Sequence, residues 1–230
     1  MPTERQVSMA QFRAHLDAIK VGRGINEVVV HHTWRPSASD YRGIETVRGV
    51  RNYHTGVRGW SDNGYHVMFG PDGAIFLCRP MQRSGAHVLN RNAHTIGVSF
   101  IANFDSDEPA SYAGMGAGQG VVAALLERFD LSVKDIRFHR EFAGKTCPGL
   151  KLGLARFRQD VQSVMEGETM PEEIDVDAWA LPAVERMQAA GIMAGKSADW
   201  FGGREPITRQ EVAVVADRIV RLILQRTPDA

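Results

Sequence analysis

The chain predicts an α/β fold, a single β-sheet covered by helices, followed by a small all-α unit. Three observations carry this reading. Short apolar or β-branched runs recur between Glu27 and Phe138. Stretches with apolar residues at helical spacing separate them, as sheet-and-helix layering requires. A polar, acidic stretch from Glu166 to Glu173, broken by Pro171, then reads as a linker. The predicted boundaries are 1–168 for the first domain, 169–173 for the linker and 174–230 for the helical module.

The elements follow in order. Ser8-Met-Ala-Gln11 has the form of a capping box, and Phe12, Leu16 and Ile19 continue it at helical spacing. Glu27 to His31 is a β-branched run and predicts a strand. Arg42 to His54 fits a surface helix. Tyr65–Phe69 and Ala74–Cys78 flank Gly70-Pro-Asp-Gly73, a turn signal, and together predict a hairpin. Thr95 to Ile101 predicts another strand. A Gly-rich segment, 114–120, leads into the helical face Val121, Val122, Leu125, Leu126 and Phe129. Ile136 to Phe138 is a short strand. Leu150, Leu154, Phe157, Val161 and Met165 form the stripe of a last long helix.

Composition removes several function classes. The 27 Lys/Arg balance 27 Asp/Glu, so there is no electrostatic case for nucleic acid. Residues 170–230 hold 7 basic and 10 acidic side chains, which leaves 20 and 17 for residues 1–169. That slight basic excess suits an anionic polymer. No run approaches the roughly 20 apolar residues of a membrane span, so membrane insertion is not expected. Met1 to Lys20 lacks the apolar core of a secretory signal. The expectation is synthesis in the cytoplasm, with any action outside it after release.

Two cysteines make no disulfide framework. They are either two buried thiols or include a metal ligand. His139 and Cys147 lie eight residues apart in a segment that Gly144 and Pro148 keep from being helical. Such a loop can bring both side chains to one cation, and His31 ends the first long strand. Two imidazoles and one thiolate leave the fourth position of a tetrahedral site open, as in catalytic rather than structural centres. Each residue alone is equally well read as an ordinary histidine or thiol.

Four blocks extend the pattern: Val28-Val-Val-His31-His-Thr33; Gly59-Trp-Ser-Asp-Asn-Gly-Tyr65-His66 with the Pro71-Asp-Gly hairpin and Arg79-Pro80; Gly85-Ala-His87 with Asn92 and Thr95-Ile-Gly-Val; and His139 to Gly149. In this order they resemble the type-2 N-acetylmuramoyl-L-alanine amidases, the family of phage lysozyme-like amidases and animal peptidoglycan recognition proteins. The resemblance runs from about Val28 to Leu152. It implies a central mixed β-sheet flanked by helices, and Zn2+ held by His31, His139 and Cys147. It implies Tyr65 and Lys145 as catalytic groups, and His87, Asn92 and Thr33 along a groove for peptidoglycan. His32, next to His31, points to the opposite face of a strand and is expected to pack or support. Some members carry glutamate where this chain has Ser99, so the proton-transfer group is open.

Residues 174–224 resemble a surface-layer homology repeat through Gly191-Ile-Met-Ala-Gly195 and Ile207-Thr-Arg-Gln-Glu211. Thr208 and Glu211 also form a capping box, and Arg209 is the residue offered to an anion. Such repeats usually act in threes on anionic secondary wall polymers. One repeat leaves docking on the first domain, self-association or weak polymer binding open, and a stabilising helical cap is an equal alternative.

The leading expectation is a wall-cutting amidase of phage or prophage endolysin type. A host autolysin or recycling enzyme is an alternative. So is a recognition module that holds peptidoglycan without cutting it, although non-catalytic members typically lack a ligand. The His31-His32 pair alone points to a metal nuclease, and the charge balance does not support that.

Overall fold

The computed structural model describes residues 4–167, 183–184, 186–187, 190, 192–193 and 209–226. Residues Met1–Met170 and Pro171–Ala230 form two compact units. The first opens with β1 (Arg5–Val7) and α1 (Met9–Ala18). The Ser8 hydroxyl accepts the Gln11 N–H at 3.2 Å, and Gln11 accepts the Ser8 N–H at 2.9 Å. This is the expected reciprocal cap, and it satisfies two amides at the helix start. β2 (Glu27–His32), α2 (Ile44–Asn52), β3 (Val67–Phe69) and β4 (Ile75–Leu77) follow. Then come β5 (Thr95–Phe100), α3 (Met115–Arg128), β6 (Ile136–Phe138) and α4 (Leu154–Met165).

The six strands form one mixed sheet in the order β1-β4-β3-β5-β2-β6. β3, β5, β2 and β6 pair in parallel, while β4 runs antiparallel to both its neighbours. The hairpin turns at Gly70, where its N–H reaches Ala74 and its carbonyl accepts from Gly73.

Alternation divides the side chains of each strand between two faces. Val28, Val30, Ile96, Val98, Phe100 and Phe138 join Phe12, Leu16, Val121, Leu125, Phe157 and Val161 in the main core. A smaller core on the other face holds Val47, Val50, Met68, Phe76, Cys78 and Ile101. Cys78 is a buried free thiol in that second core.

Three predicted elements shift. The Gly-rich segment does not lead into α3, because Gly116, Gly118 and Gly120 lie inside its first turns. A Cβ on Gly118 would lie 2.4 Å from the Phe100 ring. Packing therefore requires the missing side chain and overrides helix propensity. Leu150 leaves the α4 stripe: it stands on the preceding loop and is 71% exposed. After α2 the chain continues through a π-helical turn, Tyr53–Val57, rather than ending at His54.

The second unit contributes α5 (Arg209–Arg226). The predicted linker, 169–173, and the Thr208 cap lie outside the described residues, and of the Gly191–Gly195 turn only Ile192 and Met193 are described. Among the described residues no helix is long and apolar enough to cross a membrane.

The two α3 glycines should respond oppositely to one methyl group. Gly118→Ala should lower stability by roughly 1–3 kcal/mol through overpacking against Phe100. A Cβ on Gly120 meets only the Met9 sulfur, at 3.9 Å. Gly120→Ala should therefore raise stability by roughly 0.5–1 kcal/mol through helix propensity. Denaturant unfolding of both variants checks the pair.

Candidate metal centre and its cleft

Two neighbouring strands bring two histidines together. On β2 and β6, Val30 stands opposite Phe138. His31 and His139 are the next residue on each strand path, and their ring centroids lie 4.6 Å apart. Both sit at the carboxyl ends of parallel strands, where α/β sheets build their sites. His32 turns the other way, as expected. Its Nδ1 accepts the Phe104 N–H at 3.1 Å, and its ring stacks near the Phe104 ring.

Cys147 arrives on a loop tied from two sides. The Arg140 guanidinium donates to the carbonyls of Gly149 (2.6 Å) and Leu152 (2.8 Å), and the Arg140 N–H donates to the Cys147 carbonyl. The Asp105 carboxylate accepts from the Thr146 hydroxyl (2.7 Å) and the Leu150 N–H (2.9 Å). Gly149 adopts φ +116, and a Cβ there would strike Phe104 at 2.4 Å. The loop can follow this path only with glycine.

The result places Cys147 Sγ 3.6 Å from His31 Nδ1. Donor atoms of His31, His139 and Cys147 all lie within 4.8 Å of one another. Among the described residues this is the one His/Cys/Asp/Glu group with the spacing of ligands on a single cation. Burial keeps both imidazoles uncharged: it drives His31 well below the usual histidine range, and it lowers His139 with help from the Lys145 charge. Burial also pushes the Cys147 thiol up to about 12. A lone thiolate is thus unfavourable here, and a bound cation is what would stabilise it.

A cleft of about 1060 Å³ opens over the cluster. Tyr65 stands at its inner wall, with its ring centroid 5.1 Å from that of His31. Burial, and after it the neighbouring Cys147, raises the phenol pKa, so Tyr65 stays a hydrogen-bond donor. Its backbone is fixed by Asn63, whose Oδ1 accepts the Tyr65 N–H at 3.1 Å. The Arg79 guanidinium in turn donates to the carbonyls of Asn63 (2.6 Å), Ser84 (2.8 Å) and Asp62 (3.2 Å). His54 stacks on Trp60 at 4.7 Å, and its Nδ1 accepts the Gly64 N–H. Lys145 is exposed and lines the cleft beside the cluster.

Trp34 forms part of the outer wall, 54% exposed, with Arg35 over its ring at 5.2 Å. Its φ of +60 lies in the left-handed region, a strain of roughly 1–2 kcal/mol for a bulky residue. The Trp34 N–H holds that geometry by donating to the Ala102 carbonyl at 3.0 Å.

The groove residues expected from the sequence fare differently. Thr33 lines the cleft, but its hydroxyl accepts the Ala102 N–H and donates to the Pro36 carbonyl. His87 also borders the cleft, yet Nδ1 lies 3.1 Å from His31 Nε2, and Nε2 lies 3.2 Å from the Thr95 hydroxyl. Neither of its nitrogens is left for substrate. Asn92 does not line the cleft; its Oδ1 accepts the N–H groups of His87 (2.8 Å) and Val88 (2.9 Å). Asn92 Oδ1 thus shapes the loop that carries His87. Ser99 pairs with His31 across β5 and β2, and its buried hydroxyl lies beside the Tyr65 phenol.

Three arginines, Arg79, Arg140 and Arg23, tie the site's loops, and the sequence pattern assigned none of them that role. Arg23 donates to the carbonyls of Met81, Asn92, Ala93 and Thr95. No periodicity marks an arginine that faces backbone carbonyls rather than water.

The sequence pattern of N-acetylmuramoyl-L-alanine amidase matches residues 21–150, more than half of the chain. The chain belongs to this amidase family. The S-layer homology domain pattern matches residues 174–213. Among relatives, peptidoglycan-recognition protein SC2 of Drosophila simulans is 29% identical over 130 residues, covering 56% of this chain and 70% of its own length. The human N-acetylmuramoyl-L-alanine amidase is 30% identical over 125 residues, or 52% of this chain, but the match spans only 22% of that longer protein. The solved endolysin amidase LysCS from Clostridium intestinale shares the fold with a TM-score of 0.53 at 20% identity, covering 70% of this chain and 91% of its own. The amidase-family match takes in His31, Tyr65, His139 and Cys147 together with the arginines that hold their loops.

Asn92→Ala should leave two amides of the amidase-family loop without an acceptor. The expected loss is roughly 1–3 kcal/mol, read by chemical denaturation. A loss of substrate affinity at unchanged stability would instead return Asn92 to substrate binding.

Proposed function

We propose that the first unit is a zinc-dependent hydrolase that cuts the amide between N-acetylmuramic acid and the L-alanine of the peptidoglycan stem. The observation that carries this is the donor set. Zinc bonds of roughly 2.0–2.1 Å to nitrogen and 2.3 Å to sulfur, at a tetrahedral angle, set those atoms about 3.6 Å apart. The separation of His31 Nδ1 and Cys147 Sγ is 3.6 Å. His31, His139 and Cys147 would hold the ion, and all three line the cleft. Bound there, zinc supplies Lewis acidity and lowers the pKa of a coordinated water to near ~7.

The remaining chemistry belongs to the chain. Lys145 brings positive charge to where the scissile carbonyl oxygen becomes negative, a stabilisation felt mainly in the transition state. Tyr65, kept protonated beside His31, donates a hydrogen bond to an oxygen at the reacting carbon. Ser99 lacks the basicity of a carboxylate, so Tyr65 and Lys145 are the groups placed to steer protons. The exposed rings of Trp34 and Tyr53 line the cleft and offer flat faces to sugars. Arg35 and Arg58, also at the cleft, suit the carboxylates of a stem peptide.

The second unit is proposed to hold the enzyme on anionic wall polymer. Arg209, exposed at the start of α5, is its candidate contact.

The deciding experiment is digestion of purified peptidoglycan with and without a chelator, read by mass spectrometry. Stem peptides with a free L-alanine amino end should appear, vanish on chelation and return with zinc. Binding without cleavage by zinc-loaded protein would replace this reading with a recognition module.

Cys147→Ser should lose most bound zinc, and full occupancy in that variant would remove Cys147 as a ligand. Lys145→Ala should keep zinc while turnover falls roughly 10²–10³-fold, the scale of one lost oxyanion partner. Removing residues 170–230 should spare turnover of soluble muropeptides and weaken binding to intact walls in a pull-down.

A further inference from the structure

We propose that His87 is a positioning residue that decides which nitrogen of His31 is offered to the metal, through a relay oriented by one backbone carbonyl. This rests on the zinc reading above for its purpose, but its geometry stands apart from it. The relay starts at Arg91, whose carbonyl lies 3.1 Å from the Thr95 hydroxyl. A carbonyl can only accept, so in this hydrogen bond the Thr95 hydroxyl is the donor, beside the His94 N–H that the same carbonyl accepts. Thr95 has one proton, so at its second contact, 3.2 Å from His87 Nε2, it must accept. His87 therefore carries its proton on Nε2, and its Nδ1 is bare. That bare nitrogen lies 3.1 Å from His31 Nε2, which must then be the protonated nitrogen of His31. What remains on His31 is an unprotonated Nδ1, the atom 3.6 Å from Cys147 Sγ. Reversing the chain would put a proton on the ligand atom itself.

The surroundings hold the His87 ring in place for this task. A Cβ at Gly85 would lie 2.4 Å from its Cδ2, and one at Gly97 2.5 Å from its Cδ2 and Cγ. The imidazole is wedged between two glycine backbones, and any larger residue at either position would displace it. Its plane meets that of His31 at 87°, an edge-on approach. Asn92 fixes the His87 main chain, and Thr95 is only 1% exposed, so little water reaches the relay to reverse it. A partner of this kind orients a ligating histidine and raises its basicity, and its loss commonly costs roughly 10–100-fold in metal affinity.

The test measures zinc affinity of the full chain by chelator competition, together with the imidazole tautomers by ¹⁵N NMR of the metal-free protein. His87→Phe keeps a flat ring and removes the acceptor; it should bind zinc roughly 10–100-fold more weakly. His87→Asn places an amide oxygen near the former Nδ1 and should recover most of that loss. In the metal-free wild type, His31 should carry its proton on Nε2. Equal zinc affinity of His87→Phe and wild type would overturn the proposal, as would a proton on His31 Nδ1. A purely structural role would make both variants lose affinity alike, which also overturns it. If the wild type bound no zinc, the zinc reading would fail, while the NMR arm would still decide the direction of the relay.

Discussion

The register of β2 is the constraint on which the rest depends. It pairs with β5 on one side and β6 on the other, both in parallel. The side-chain period along a strand is two, so a slip of one residue would exchange the two faces. Val28, Val30 and His32 would leave the main core, and His31 would enter it. The large apolar set packed on that face, from Phe12 to Phe157, makes such a slip very costly. Hydrophobic burial on one side of the sheet thus aims His31 on the other.

The second face carries a different load. His31, His66 and His87 are all buried there or nearly so. Burial of such groups is tolerable only when their nitrogens are paired. His66 Nδ1 accepts the Gly97 N–H, and its Nε2 lies 3.1 Å from the Arg83 carbonyl. His87 spends its nitrogens on His31 and Thr95. These contacts satisfy the polar groups and at the same time leave His31 one outward atom. Satisfaction of the buried network and the outward aim of His31 Nδ1 are here the same set of bonds.

Buried and half-buried arginines do for the loops what strands do for the sheet. Arg79 binds the Tyr65 loop, Arg23 the segment before β5, and Arg140 the loop of Cys147. Each offers several donors in a rigid fork, so one side chain satisfies two or more carbonyls that irregular backbone would leave unpaired. The irregular segments become fixed supports, and Tyr65, His87 and Cys147 meet with little freedom.

Much was legible in the residues alone. Apolar periodicity located β2 to β6 and α1, though not β1, and the Ser8–Gln11 box marked where that helix begins, because these signals are local. Alternation on a strand separated His31 from His32 before any contact was seen. The spacing of His139 and Cys147 permitted a shared cation without requiring it. What the sequence could not decide lies between elements distant in the chain. It could not show that Gly118 makes room for Phe100, or that Gly85 and Gly97 make room for His87. Nor could it tell that both His87 nitrogens and the Asn92 amide oxygen are paired inside the protein. Local pattern determines which elements form and which face of each is apolar. Only the tertiary packing decides which polar atoms are already paired, and so which remain free to act.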